Sequence, residues 1–147
     1  MKYLQTNGDF EEKVFLGKDD LFKMELNSQK VGEILIINLH KSIFHRPYVD
    51  DLRNFVINLI GENEKNIFLD LSQIDYIDGV GLGVLLTIHK TAIYHDVNIR
   101  LFGLQPHIKQ MFTQTRISKV LDICKPEEES LLKKQIVKQA QVAYRIA

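Results

Sequence analysis

The sequence predicts an α/β domain built on a mixed sheet of about five strands with helices packed on it. Three observations point there. Short apolar runs suited to strands alternate with longer segments whose apolar residues recur every third or fourth position. Turn-forming residues separate these segments, with no internal repeat, low-complexity tract or linker. Apolar content of 45% and charged content of 26% are ordinary for a globular protein, and 147 residues suffice for one real core.

Residues 1–20 are mixed and charged and read as an N-terminal extension, in which Val14-Phe15-Leu16 suits a short strand. Residues 21–147 read as a single domain. Residues 21–27 alternate apolar and polar, the period of a half-buried strand. Residues 27–32 are polar, with turn formers at both ends, and residues 33–39 form a second, more deeply buried strand. The short connection predicts an antiparallel hairpin. A loop over residues 40–46 follows, and Pro47 suits the first turn of a helix, where its missing N–H is harmless. Leu52, Phe55, Val56, Leu59 and Ile60 repeat at helical spacing up to Gly61.

The third strand is the apolar run 66–71, bounded by polar residues. A helix from Asp78 to about Tyr94 comes next, then a strand over 97–102 and a short helix over 105–115 with Ile108, Met111 and Phe112 inward. Residues 120–124 read as a fifth strand. Pro126 and three glutamates then open a long C-terminal helix, with acids where the helix dipole favours them. Leu132, Ile136, Ala140, Ala143 and Ile146 form its apolar stripe. Its distal turns outrun the core of so small a domain, so they dock on a partner or a second copy, or remain a solvated tail.

The central helix is the candidate functional element. Asp78 stands where an N-cap belongs, with a carboxylate able to accept from the free N–H groups of the first turn. Gly79, Gly81 and Gly83 weaken that turn, each by roughly 1 kcal/mol relative to Ala. A chain tolerates this cost where something must approach the backbone closely. Helical spacing puts Leu82, Leu85, Leu86, His89, Ala92 and Ile93 on one face, expected to pack on the core. Val80, Val84, Thr87 and Thr91 fall opposite, beside Gly83 and Tyr94. Solvated helix faces are normally rich in Lys, Glu and Arg. This bare strip is expected to admit another protein's backbone, or else to be covered by another part of the same chain.

Composition and motifs exclude several other functions. Lys plus Arg balances Asp plus Glu at 19 each, which gives no reason to expect nucleic acid or an anionic membrane as partner. The single cysteine, Cys124, excludes an internal disulfide and sits in an apolar run, where a thiol is usually inert. The start lacks the apolar core of a signal peptide, and no run reaches the ~20 apolar residues of a membrane span. A cytoplasmic location without membrane insertion is therefore expected. The glycine run resembles a dinucleotide fingerprint, but its third glycine would fall on Val84 and seven residues separate it from the strand. No Cys or acidic cluster completes a metal set around His40 and His45. Asp70 and Asp75 read as loop polar groups and His89 as a core or edge histidine. No catalytic constellation, cofactor site or metal site is expected.

At Asp70-Leu71-Ser72 and Tyr76-Ile77-Asp78-Gly79-Val80-Gly81-Leu82-Gly83 the chain resembles the STAS domain family, the fold of bacterial anti-sigma factor antagonists. That family's hallmark is a strand ending in Asp-Leu-Ser, a short loop, then Asp-Ser-Ser-Gly-Leu-Gly opening an apolar helix. Element order agrees from about residue 21 to residue 125. The resemblance implies partner switching with an anti-sigma factor of histidine-kinase-like ATP-binding fold. The interface is expected at Asp78, Gly79, Val80, Gly81, Val84 and Thr87, flanked by the loop at 42–46. In phosphorylated members the second serine of the motif is the acceptor. It aligns with Val80 and the first with Gly79, and neither has a hydroxyl. Phosphate adds close to two negative charges and disrupts an apolar interface, so this chain is expected to bind without that switch, or to be regulated at Ser72, Thr87 or Thr91. Two other readings stand beside it. One is a structural STAS subunit of a signalling scaffold or lipid-transport complex, with self-association through the C-terminal helix. The other is a small-molecule or nucleotide sensor using the helix N-terminus as an anion site.

Overall fold

Strand and helix periods sort the chain into the expected order. The computed structural model describes residues 2–5, 12–16, 24–40, 43–44 and 48–146. The strands are β1 (Lys2–Gln5), β2 (Glu12–Leu16), β3 (Met24–Val31), β4 (Ile34–His40), β5 (Ile43–Phe44), β6 (Asn66–Asp70), β7 (Tyr76–Ile77) and β8 (Asn98–Phe102). The helices are α1 (Tyr48–Gly61), α2 (Gly79–Tyr94), α3 (Pro106–Gln114) and α4 (Pro126–Ile146).

Among the described residues the main sheet has six strands in the order β1-β2-β3-β4-β6-β8. β1 to β4 pair antiparallel, while β4, β6 and β8 pair parallel. Parallel strands need crossovers, and α1 and α2 supply them. Strand alternation then divides the core. Leu35, Ile37, Leu39, Ile67, Leu69, Ile99 and Leu101 pack with buried residues of α1, α2 and α3. On the other face Ile36, Phe68 and Phe102 pack with Val31, Cys124 and Leu132, and α4 supplies Leu132 and the half-buried Ile136. Burial on both faces explains why the strand runs are almost continuously apolar.

Two local readings change. β3 runs through residues 27–31, expected as a turn, because the hairpin closes tightly: Val31 pairs with Ile34 around Gly32 and Glu33. Gly32 supplies the positive φ of 62° that this turn requires. Residues 21–23 of the expected strand lie outside the described residues. The expected short strand at Val14 is β2, and β1 and β2 extend the sheet edge from within the expected N-terminal extension.

The expected fifth strand at 120–124 is reduced to one parallel bridge, Leu101 to Ile123. A 3-10 turn, Ile117–Lys119, precedes it. The Leu101 N–H donates to the Asp122 carbonyl and the Cys124 N–H donates to the Leu101 carbonyl, both at 2.9 Å. Pro126 then opens α4 and the ladder stops. No helix among the described residues is long and apolar enough to cross a membrane.

Candidate functional site

The site is assembled at the C-terminal end of β6. Leu71 and Ile74 are fully buried and Ile77 nearly so, which pins the segment from β6 to β7 into the core. β7 pairs parallel with β5, Ile43 against Tyr76 and Phe44 against Ile77. The expected flanking loop at 42–46 thus meets the site through residues 43 and 44; its remaining residues lie outside the described ones. Asp78 follows with extended backbone, and its Oδ1 accepts from the Gly81 N–H at 2.7 Å. The Leu82 N–H donates to the Asp78 carbonyl at 3.0 Å. Asp78 is therefore the N-cap of α2, as its place in the sequence suggests.

The first turn of α2 is open outward. Gly79, Val80, Gly83 and Thr87 are exposed, and Val80 leaves 38% of its surface free. A Cβ added to Gly79 or to Gly83 would meet nothing within 4 Å. Gly81 is buried, and its N–H is taken by the cap. Thr87 donates its hydroxyl to the Gly83 carbonyl at 3.0 Å, and Thr91 donates to the Thr87 carbonyl at 2.9 Å. Both hydroxyls are thus folded back along the helix.

The helix is rotated relative to the sequence reading. Val84, expected on the outer strip, is only 4% exposed and packs in the core with Leu85, Ile88 and Ala92. Leu82 and Leu86 are only partly buried, and Ile93, expected inward, is 62% exposed. The stripe through Gly81, Val84, Leu85, Ile88 and Ala92 has regular helical spacing and turns to the sheet. Ile88, absent from the expected face, carries that phase. The strip that stays outward is Gly79, Val80, Gly83, Thr87 and Lys90.

One residue escapes the sequence reading. Tyr76 is 58% exposed, two positions before the cap. Its signal was present: Ile74 and Ile77 are the apolar anchors of the segment, which turns the aromatic between them outward. Asp75 is a loop polar group, as expected, whereas Asp70, expected in the loop, is the last residue of β6, in register with Asn38 and Phe102. Asp70 Oδ1 accepts from the Ser72 N–H at 2.9 Å, and Asp75 Oδ1 accepts from the Gln105 side-chain amide at 2.7 Å.

The remaining chemistry-bearing residues are structural. Cys124 is buried, and desolvation pushes its thiol up to about 11. Arg100 lies beneath the first turn of α4. Its guanidinium makes two bonds to the Glu128 carboxylate, its Nε stands 3.1 Å from Asp122 Oδ1, and it lies over the Phe68 ring at 5.8 Å. The bond to Arg100 and the Lys125 N–H hold the Glu128 carboxyl down to about 2, and the same pairing holds the guanidinium above its usual range. Among the described residues no three His, Cys, Asp or Glu side chains are placed to hold a metal ion.

The chain is 27% identical over 89 residues to a candidate anti-sigma factor antagonist, BtrV of Bordetella bronchiseptica, covering 60% of this chain and 76% of that one. Its fold is similar to that of a candidate anti-sigma factor antagonist from Thermotoga maritima, with a TM-score of 0.61, 18% identity and 72% and 91% of the two chains covered. It is also similar to the anti-sigma factor antagonist SpoIIAA in its unphosphorylated form, with a TM-score of 0.57, 15% identity and 71% and 91% covered. SpoIIAA, a Bacillus cell fate determinant, is known in a phosphorylated form as well. The STAS domain model matches residues 25–130, a stretch that runs from β3 through the capped α2 to the start of α4, and on this match the chain belongs to the STAS domain family.

Proposed function

We propose that the outer strip of α2 binds a protein partner and that the chain acts as an anti-sigma factor antagonist in the cytoplasm. The partner would be an anti-sigma factor with a histidine-kinase-like ATP-binding fold. One observation carries the interface. Gly79 and Gly83 sit on the exposed strip with open space where a Cβ would stand. Nothing within the described residues requires them to be glycine, yet Gly83 weakens the interior of the helix by about 1 kcal/mol. That cost is offset if a partner's backbone comes close at these positions. Val80 then supplies apolar contact between them, Asp78 orders the turn, and Tyr76 and Thr87 extend the surface along the chain. Val84 has no part in it, being in the core. The names of the relatives support the class of partner.

Position 80 also sets the regulation. A valine accepts no phosphate, so binding here escapes the charge that would break an apolar contact. Affinity capture from the native cells tests both parts. Wild type is expected to retain a kinase-fold protein, and Val80→Glu to lose it. If both forms retain the same partners, the strip is not the interface. Returning a hydroxyl with Val80→Ser, and incubating with that partner and ATP, is expected to yield phosphate at position 80 by mass spectrometry. Phosphate found instead on Ser72, Thr87 or Thr91 of wild type would overturn the unswitched reading.

A further inference from the structure

The segment between β6 and β7 leads directly into the cap of α2, and its outer side is held by another element. Gln105 donates its side-chain amide to Asp75 Oδ1 at 2.7 Å and to the Ser72 carbonyl at 3.2 Å. His107 Nε2 stands 2.6 Å from the Asp75 carbonyl. A carbonyl only accepts, so His107 carries its hydrogen on Nε2. Three acceptors of one short loop are thus taken by two side chains at the start of α3.

Two further facts show that these contacts are not incidental to α3. Gln105 occupies the N-cap position of that helix but makes no side-chain cap bond. Ser, Thr, Asp or Asn is the stabilising residue at such a position, so the Gln105 amide serves the neighbouring loop at its own helix's expense. The connection from β8 also lies tight against the loop. At Gly103 φ is +73°, and an added Cβ would stand 2.7 Å from Asp70 Oδ1 and 3.1 Å from the Ser72 Cβ.

We propose that Gln105 and His107 are positioning residues that brace the β6–β7 loop and thereby set how Asp78, Gly79 and Val80 are presented to the partner. The inference rests on the interface reading above for its consequence, but not for its geometry. Inside the loop, Leu71, Ile74 and Ile77 hold the fold without help. Outside, the polar groups of Ser72 and Asp75 would otherwise face water. Removing the brace therefore leaves the core folded and frees the approach to the cap.

The experiment compares wild type, Gln105→Glu, the double variant Gln105→Glu/Asp75→Asn, His107→Ala and His107→Gln. Each is read by affinity for the captured partner and by hydrogen exchange of the Gly81 N–H, with the Ile88 and Ile37 amides as core controls. Gln105→Glu sets two carboxylates against each other. It is expected to weaken binding about five- to tenfold and to speed Gly81 exchange, while the core amides stay unchanged. In the double variant the new amide donates to the new carboxylate, and the part of the loss owed to the Asp75 contact is recovered, while the bond to the Ser72 carbonyl stays lost. His107→Ala behaves like the single variant, and His107→Gln, which keeps a donor, stays near wild type. Unchanged Gly81 exchange in Gln105→Glu and His107→Ala, or no recovery in the double variant, overturns the brace. If wild type captures no partner while Gly81 exchange follows the pattern above, the brace stands and the antagonist reading fails.

Discussion

Gly83 weakens the helix that carries it, and the space above it is empty. Gly83→Ala should therefore raise stability by about 0.5–1 kcal/mol in urea unfolding, while lowering partner affinity. A variant that is both more stable and equally avid would show that no backbone comes close there. Asp78→Ala should cost about 1 kcal/mol through loss of the cap, with Asp78→Asn close to wild type in the same measurement. The cap was legible in the sequence because an acceptor side chain directly precedes the helical run. The facing of Val84 and Ile88 was not. α2 carries apolar residues on nearly all sides, so its sequence contains little contrast from which to read a phase, and the sheet beneath it decides. Tyr76 is a subtler case: Ile74 and Ile77 signal that it turns outward, but its place beside the cap depends on the pairing of β7 with β5, which its own segment does not show.

α4 is attached to the sheet by apolar and polar contacts along its length, including a bond from the Gln139 side-chain amide to the Lys30 carbonyl. Leu132 is buried, Ile136 half-buried, Glu128 pairs with Arg100, and Glu129 accepts from the Gly103 N–H at 3.0 Å. The Glu128 carboxyl, ordinarily near 4.5, is held at about 2 in the folded chain. A group held lower in the folded state than in the unfolded one stabilises above its unfolded value. Its contribution is thus present at neutral pH and fades as pH falls from about 4.5 toward about 2. Thermal melts across that window should show the loss in wild type, and Glu128→Gln should flatten it. Leu132→Ala should cost about 2–4 kcal/mol and should speed alkylation of Cys124, which packs in the same cluster. The helix and its acidic first turn were legible from the proline and the three glutamates. The Arg100 network was not, since it joins residues far apart in the chain. The polar stretch at 27–31 gives no strand signal of its own, because its strand character comes from the tight turn at Gly32 and its pairing with β4, and not from its side chains.

Element order and the α/β class were legible because the apolar periods change cleanly from strand to helix along the chain. The β3–β4 hairpin was legible from its short connection, but the order of the remaining strands was not, for it depends on where the crossovers lay the chain down. Charge distribution is likewise a property of the whole. The formal net charge is +0, but Lys133, Lys134 and Lys138 are all exposed along α4, with Val137 exposed among them. Two copies meeting along that face would oppose like charges. Sedimentation velocity should show a monomer at low ionic strength, with any self-association through α4 appearing only as salt is raised. The sheet itself is covered unequally, by α1, α2 and α3 on one face and by α4 on the other. During synthesis every strand leaves the ribosome before α4 does. A nascent chain can close its three-helix face early, while Ile36, Phe68 and Phe102 still lack the Leu132 side chain that caps them. That interval is when a chaperone that grips apolar side chains has its target, and a message truncated before Pro126 would make the interval permanent.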